Sequence, residues 1–347
     1  MTKLEEIIAA MIEAEGPMPL DRYMALCLGH PQFGYYMTRD PFGASGDFTT
    51  SPEISQVFGE LIGVWLLNSW AALGSPKTFA LTELGPGRGT LMGDILRAVK
   101  AVPEFAKGAE VHLVETSPVL RHLQKAKLGE VRWHDTVESL PAMPSFIIAN
   151  EFFDALPIQQ FENRAGRWFQ RCIGFRDGKL KMGLVPAPAM SGEEGLREVS
   201  PVSLAIAEDL GGHIAKHGGA ALVIDYGHLK SAAGDTLQAL RKHEFASVLD
   251  SPGEADITAH VDFEALAKAF ISGGAELLPL LTQGQFLKAM GLDLRTEKLV
   301  AKLEGQAREE FRAASHRLAD AAQMGNLFKV LAVAQKIRQP IYPFEEA

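Results

Sequence analysis

The chain has 347 residues, of which 47% are apolar and 22% charged, with a formal net charge of −9. This composition is ordinary for a folded globular protein, and the length allows one large domain or a domain with an appended lobe. Nucleic acid is not an expected partner, because 34 basic residues face 43 acidic ones and none of the basic residues form a long run. Only two cysteines, Cys27 and Cys172, occur, far apart in the sequence, which favours a reducing compartment and predicts no metal site.

The first part of the chain is predicted to be helical. Thr2 and Glu5 form a candidate capping box for a first helix. A second helix is expected near 21–28, and a long amphipathic helix is expected to begin at Ser51. The longest apolar stretch, 61–73, is too short for the ~20 residues of a membrane span, so no membrane insertion is expected. No signal or transit pattern is seen, which predicts a cytoplasmic, bacterial-type protein.

A glycine-rich turn is the most informative motif. The apolar run 78–82 precedes Glu83-Leu84-Gly85-Pro86-Gly87-Arg88-Gly89, and a helical pattern follows. Such a strand, turn and helix present backbone N–H groups to a nucleotide-like ligand. Glu83 stands close to where a dinucleotide would place its phosphates, so it disfavours NAD and favours the ammonium group of S-adenosylmethionine (SAM). The predicted cofactor contacts in this turn are Glu83, Gly85, Pro86, Gly87 and Gly89. The alternative is a plain strand–helix connection.

Acids follow the next two predicted strands. Glu115 ends the buried run 111–115, where an acid can accept both ribose hydroxyls of a nucleoside. Asp135 follows the short run 131–134, where an acid commonly meets an adenine amino group. The alternatives are a surface carboxylate for Glu115 and a turn or helix cap for Asp135.

A second acidic cluster follows the fourth strand, 145–150. Asn150 is expected near the cofactor, and Glu151 and Asp154 could together grip a cationic nitrogen nucleophile. Asp225, after the strand 220–224, is a possible third acid from the neighbouring strand end. In the alternative interpretation Asp154 only caps a turn before Pro157.

Strands alternating with helices predict an α/β sheet whose ligand lies at the carboxyl ends of the strands. Further apolar strands are expected at 275–281 and 328–334. We assign 1–76 to N-terminal helices and a lid loop, and 77–347 to a SAM-binding core with a hairpin insertion at about 160–200 and a helical insertion at about 285–326. In the lid loop, Gly46 and Asp47 are expected to contact the cofactor; alternatively, the loop only connects helices.

Motifs along nearly the whole chain resemble the MidA-type family, which includes a mitochondrial complex I assembly factor that methylates a protein arginine. The matching segments are His30-Pro31-Gln32-Phe33-Gly34-Tyr35-Tyr36, Gly46-Asp47-Phe48-Thr49-Thr50-Ser51-Pro52-Glu53-Ile54-Ser55, the turn 83–89, Asn150-Glu151-Phe152-Phe153-Asp154-Ala155-Leu156-Pro157, Ile224-Asp225-Tyr226-Gly227, Gln283-Gly284-Gln285-Phe286-Leu287 and Met324-Gly325-Asn326-Leu327-Phe328-Lys329-Val330-Leu331. One stretch, 235–240, is less typical of the family.

The resemblance implies a class I SAM-dependent methyltransferase, a Rossmann-like fold with a seven-stranded, mostly parallel sheet. It also implies a protein substrate, an arginine on a core subunit of respiratory NADH dehydrogenase. For such an acceptor we take Glu151 and Asp154 as the candidate catalytic acids that clamp the guanidinium, with Asp225 as a third candidate. Three other functions stay open from the residues: a small-molecule N- or O-methyltransferase, a non-catalytic assembly chaperone, and an NAD-dependent dehydrogenase. The oligomeric state is not indicated by the sequence.

Overall fold

The computed structural model describes residues 1–39, 50–190, 194–336 and 339–344. The first part of the chain is helical, and the side chains of Thr2 and Glu5 complete the predicted capping box. The predicted long helix from Ser51 is interrupted, because the Ser55 hydroxyl caps a new helix by accepting from the Val57 N–H. The elements are α1 (Lys3–Glu15), β1 (Met18–Pro19), α2 (Leu20–Gly29), α3 (Tyr35–Thr38), α4 (Ser51–Ile54) and α5 (Gln56–Ala72).

The central strands follow, and helices connect most of them. Every residue of the second and fifth strands is buried, as expected of strands that are covered on both faces. In chain order these elements are β2 (Phe79–Leu84), α6 (Thr90–Val99), α7 (Pro103–Gly108), β3 (Ala109–Val114), α8 (Pro118–Leu128), β4 (Arg132–His134) and β5 (Ser145–Asn150).

The next part of the chain forms two small antiparallel sheets around one further central strand. The expected hairpin near 160–200 is present as β7 and β8, and β6, β9 and the N-terminal β1 extend it into a five-stranded sheet. The second sheet, with the strand order β12-β11-β13, was not predicted. The elements are β6 (Gln159–Arg164), β7 (Arg167–Arg176), β8 (Lys179–Pro186), β9 (Gly195–Val199), α9 (Pro201–His217), β10 (Gly219–His228), β11 (Gln238–Arg241), β12 (Glu244–Ala246), β13 (Asp256–Thr258) and β14 (Val261–Asp262).

The last part alternates short strands and helices before a final long strand. The single strand expected at 275–281 is wrong: two two-residue strands flank Pro279, which has no N–H for a sheet hydrogen bond. The elements are α10 (Phe263–Gly273), β15 (Glu276–Leu277), β16 (Leu281–Thr282), α11 (Gln283–Ala289), α12 (Leu292–Val300), α13 (Gly305–Ala319), α14 (Met324–Leu327) and β17 (Phe328–Ala334).

The main sheet has the strand order β15-β17-β10-β5-β2-β3-β4; β14 also pairs with β10, and β16 also pairs with β17. The five strands from β10 to β4 are parallel, and β17 is antiparallel to β10. The carboxyl ends of β2, β3, β5 and β10 therefore lie along one edge. The predicted mostly parallel sheet is confirmed.

Three apolar cores hold these layers together. One core packs α5 and α6 against one face of the main sheet, and a second packs α9 and α10 against the other face. A third joins α1 and α2 to the five-stranded sheet. Within the described residues, no helix is long and apolar enough to cross a membrane.

Two stacked histidines, His112 on β3 and His134 on β4, contact each other. His112 is 1% exposed, and its Nδ1 lies 2.8 Å from Nε2 of His134. Burial and the neighbouring His134 lower the pKa of His112 to about 4. A buried imidazole of this kind favours the neutral form.

We expect this pair to destabilise the fold in acid. The unfolded chain binds the His112 proton near its ordinary pKa, whereas the folded chain resists it until pH about 4. Stability from His112 is therefore complete above the ordinary pKa and is lost as pH falls toward the folded value, by at most about 1.4 kcal/mol per pH unit. Urea denaturation at several pH values should show a smaller acid loss in His112→Asn than in the wild type. Parallel pH profiles for the two proteins would contradict this assignment.

Candidate active site

A cavity of about 740 Å³ opens at the edge of the main sheet where the parallel strands end. Its volume is within the range of about 300–1,000 Å³ that is typical of small-molecule sites. The turn after β2, the end of β3, the loop after β5 and the start of β17 all contribute to its wall. The ligand position expected for an open α/β sheet is therefore the position of the cavity.

The glycine turn forms one side of the cavity. Gly85, Gly87 and Gly89 all have positive φ (58°, 51° and 73°), which a side chain would strain. A Cβ on Gly85 would also lie 2.8 Å from the Phe152 ring. Gly85 and Gly87 line the cavity, and the Pro86 carbonyl accepts from the Gly89 N–H to close the turn. The turn therefore brings backbone, with no side chain in the way, to the cavity surface.

Glu83 lies beneath this turn rather than on the cavity wall. It is 3% exposed, and burial raises the pKa of its carboxyl to about 8, although the Met92 N–H donates to it. Its Oε2 has no hydrogen-bond partner in the described part of the chain. A buried oxygen without a partner is costly, so this acid is suited to a ligand that donates hydrogen bonds.

Glu115 reaches the cavity at the end of β3 and is held in place on both oxygens. Oε1 accepts from the Ser117 N–H at 2.8 Å, and Oε2 accepts from Nε2 of Gln124 at 3.2 Å. Burial raises the pKa of this carboxyl. A carboxylate has about four acceptor positions, so both oxygens can still take a hydrogen bond from a ligand hydroxyl.

Gln124 is a site residue that the sequence did not reveal. Its Nε2 also donates to the Gly87 carbonyl at 2.8 Å, and its Oε1 accepts from the Trp133 indole at 2.8 Å. One fully buried amide thus ties the glycine turn to Glu115 and to β4. A polar residue inside an amphipathic helix gives no signal that separates this role from surface exposure.

Asp135 lies at the far end of the cavity, after β4. Its Oδ1 accepts from Nη2 of Arg121 at 2.6 Å, and its side chain is 80% exposed. The short 3₁₀ turn Val137–Ser139 is preceded by Thr136, so Asp135 is not the cap considered as its alternative role. Asp135 therefore presents an oriented carboxylate at the cavity margin.

Glu151 begins the loop after β5 in a strained conformation. Its φ is 50°, a region that residues other than glycine rarely adopt. Oε1 accepts from the Ser51 N–H at 3.0 Å and from Nδ2 of Asn150 at 3.1 Å. Burial raises the pKa of Glu151 to about 7. Strain of this kind is often kept where a functional side chain must be aimed.

Asp154 and Glu151 together form an acidic wall of the cavity. Its Oδ2 accepts from the Tyr226 hydroxyl at 2.6 Å, while Oδ1 is buried and has no partner in the described part of the chain. Burial raises the pKa of Asp154 to about 6, although the Tyr226 hydrogen bond opposes the shift. Because Asp154 and Glu151 both line the cavity, they are available to one ligand.

Asp225 has a different position from the one predicted. It is 0% exposed and lies behind the loop instead of on the cavity wall. Its Oδ2 accepts from the N–H groups of Phe152, Phe153 and Asp154 at 3.0–3.2 Å, and its Oδ1 accepts from the Tyr226 N–H at 2.9 Å. Burial and the nearby carboxyls raise its pKa. We therefore correct its role from acceptor contact to positioning of the loop.

The acids of this cluster lack a counter-charge. Within the described ranges, none of Glu151, Asp154 and Asp225 forms an ion pair with a lysine or arginine. Buried carboxyls without a cation raise one another's pKa and disfavour ionisation. A positively charged ligand would reverse this shift, so the electrostatics of the cavity favour a cation.

The remaining predicted cofactor contacts do not line the cavity or lie outside the described residues. Asn150 supports Glu151 by hydrogen bonding and, like Pro86 and Gly89, does not line the cavity. Gly46 and Asp47 lie outside the described residues. Among the residues that are described, no group of three or more His, Cys, Asp or Glu is arranged to hold a metal ion.

The sheet order, the glycine turn and the acid after β3 together define a class I methyltransferase. The family model of S-adenosyl-L-methionine-dependent methyltransferases Methyltransf_28 matches residues 61–279. The protein arginine methyltransferase NDUFAF7, mitochondrial, of Homo sapiens is 36% identical, covering 93% of this chain and 81% of the relative. The Drosophila melanogaster homologue is also 36% identical, covering 95% of this chain and 84% of the relative. The chain therefore belongs to the MidA-type family of SAM-dependent methyltransferases.

Solved structures agree with this assignment. A COG1565 superfamily member from Burkholderia thailandensis, bound to S-adenosyl-homocysteine, superposes with a TM-score of 0.84 and 27% identity, covering 97% of this chain and 92% of that one. A native structure of a COG1565 protein from the same organism gives a TM-score of 0.81 and 28% identity, covering 97% of this chain and 93% of that one. The dehydrogenase interpretation is thereby removed.

The cavity fits the cofactor of this family. Glu115 lines the cavity and suits the ribose hydroxyls. Glu83 does not line the cavity, so its contact with an ammonium group stays a prediction. Asp135, with its carboxylate aligned by Arg121, suits the amino group of an adenine. The cofactor's sulfonium is a cation, and the acidic wall favours a cation. These individual contacts are our assignments.

We expect Glu115→Gln to weaken binding of S-adenosyl-homocysteine by about 2 kcal/mol, or roughly 30-fold, because two hydrogen bonds to a charged acceptor become weaker. The amide keeps the size of the side chain, so the melting temperature without ligand should change little. Isothermal calorimetry measures the affinity. Glu130→Gln, an exposed change on the loop before β4, is the matched control. Unchanged affinity in Glu115→Gln would remove Glu115 from the cofactor site.

Proposed function

We propose that this methyltransferase transfers a methyl group to an arginine side chain of a protein, and that the acceptor is a core subunit of respiratory NADH dehydrogenase. The observation that carries the proposal is the pair of cavity-lining acids, Glu151 and Asp154, which have raised pKa values and no cationic partner in the described chain. The names of the relatives support an arginine acceptor in a protein.

A guanidinium is the cation that this pair suits best. Its pKa is above about 12, so it stays protonated at neutral pH. Its planar array of donors can bind two carboxylates at once. The unpartnered Oδ1 of Asp154 offers one acceptor, and Glu151 offers the second. Binding would lower both carboxyl pKa values, and the resulting ion pairs would hold one guanidinium nitrogen in a fixed direction.

Orientation and proton removal are the tasks of these residues. The cofactor supplies an activated methyl group on sulfur. The reacting nitrogen gains that methyl group and must lose a proton, because otherwise the guanidinium would carry two positive charges. Glu151 or Asp154 can accept that proton, and fixed geometry lowers the barrier by removing the need to orient the nitrogen. The hydrogen bonds from Ser51 and Tyr226 keep the two acids in that geometry.

We also infer a cytoplasmic location. Both cysteines are buried and free, as is usual in a reducing compartment. The acceptor subunit would then be methylated before or during its assembly into the respiratory enzyme.

Glu151→Gln should leave the affinity for S-adenosyl-homocysteine intact and lower turnover by roughly 100-fold or more, because a charge that stabilises the reacting group is lost. Asp154→Asn should act similarly if both acids hold the guanidinium. Peptide mass spectrometry of the partner subunit, isolated from cells with the wild type, each variant or no gene, measures the modification.

The comparison separates the reaction from the residues. Methylarginine that persists without the gene would overturn the proposed reaction. Methylarginine that requires the gene but reaches wild-type levels in both variants would keep the reaction and reject the acid pair. Asp135→Asn, at the cavity margin, is a matched loss of charge on the cofactor side and should act through cofactor affinity.

The methylation rate should also depend on pH. Glu151 and Asp154 have raised pKa values of about 7 and 6 in the folded chain, so acid protonates them and removes the charge that binds the guanidinium. We expect kcat/KM for the protein substrate to fall as pH drops through this range, and Glu151→Gln to lose the upper part of the dependence. Initial rates between pH 5.5 and 8.5, with cofactor affinity measured at each pH, test this. A flat profile would exclude the acids as the charged contact.

A further inference from the structure

Three exposed apolar side chains surround the mouth of the cavity. Phe245 is 78% exposed, Leu327 is 46% exposed and Val202 is 37% exposed, and all three line the cavity. They come from β12, α14 and α9, which are distant in the chain. We call these residues the apolar rim. Single exposed apolar residues are common, but three at one opening form a patch that indicates binding.

Phe245 follows a turn with a strained backbone conformation, and its side chain is exposed to solvent. β11 and β12 form a hairpin whose turn residues, Lys242 and His243, have φ of 54° and 64°. Such turns normally use glycine or asparagine, because other residues are strained in this region. The hairpin pairs Phe245 with Leu240, which also lines the cavity, and it leaves Phe245 78% exposed at the cavity mouth.

The rim and the floor of the cavity have complementary chemistry. The floor carries Glu151 and Asp154 and favours a cation, whereas the rim offers apolar surface around the opening. A ligand that matches both has a long cationic side chain that reaches inward and apolar groups beside its point of attachment. An arginine within a polypeptide has this form when apolar residues flank it.

We propose that the apolar rim binds apolar side chains that flank the target arginine in an extended segment of the protein substrate. The inference rests on the proposed arginine methylation and adds the local sequence that the enzyme selects. Burial of Phe245 and Leu327 by these side chains supplies affinity, while the acids select the arginine. Each apolar side chain that becomes buried in this way contributes through the apolar area that it removes from water.

The test uses short synthetic peptides and the full chain loaded with S-adenosyl-homocysteine. One peptide has a single arginine between leucine and phenylalanine residues, a second has serine in place of those flanking residues, and a third has citrulline in place of the arginine. Fluorescence anisotropy measures binding to the wild type, Phe245→Ser and Leu327→Ser. Ile271→Ser is the control, because Ile271 is 50% exposed on α10 and does not line the cavity.

We expect the apolar arginine peptide to bind at least 10-fold more tightly than the serine peptide. Phe245→Ser and Leu327→Ser should each remove most of this difference, Ile271→Ser should not, and affinity for S-adenosyl-homocysteine should stay the same in all four proteins. Equal binding of the apolar and serine peptides, or no binding of any peptide, would overturn the rim proposal.

Two further outcomes distinguish this inference from the proposed function. If the citrulline peptide binds as tightly as the arginine peptide, the rim binds apolar segments but the arginine assignment fails. If Phe245→Ser converts a dimer into a monomer in analytical ultracentrifugation, the rim is an interface between two copies of the chain and the substrate proposal is overturned. Methylarginine in the partner subunit, measured as above, reports on the proposed function independently of both.

Discussion

The site depends on one buried carboxylate. Asp225 lies in β10 directly after the last residue that pairs with β5, and it accepts four backbone N–H groups, three of them from the loop that follows β5. Three hydrogen bonds from consecutive residues to one buried carboxyl fix this loop relative to the sheet. Because Glu151 and Asp154 belong to the same loop, their directions follow from this attachment. The parallel pairing of β5 with β10 is what brings Asp225 within reach.

The acidic residues beside the cavity oppose folding electrostatically, and hydrogen bonds offset part of that effect. Three buried carboxyls with raised pKa values disfavour the charged state, and the chain pays for them with hydrogen bonds from Ser51, Asn150 and Tyr226. A core of the same size built from apolar residues would fold at lower cost. Polar groups that oppose folding in this way are expected where a protein keeps a site for a ligand.

The sequence predicts the parts of the fold that local patterns determine. The strands β2, β3, β5 and β17 are mostly apolar, and the glycine turn has a recognisable spacing, so all were predictable. The breaks at Ser55 and Pro279 were missed because the helical and strand patterns continue across them. The hydrogen bonds of Gln124 and Asp225 depend on contacts between distant segments, which no local pattern encodes. For the same reason the acids could be named from the sequence, but not the direction in which Asp225 points.

The reversed direction of β17 has a consequence for how this family can diversify. Because β17 runs opposite to β10, its start lies at the site, and α14 is placed at the cavity mouth. In the proposed assignment, the cofactor occupies the part of the cavity lined by 85–138, and the acceptor occupies the part lined by 151–156 and by elements after 200. Insertions and substitutions in the later segments can therefore change which protein is recognised while the methyl donor is held by an unchanged framework.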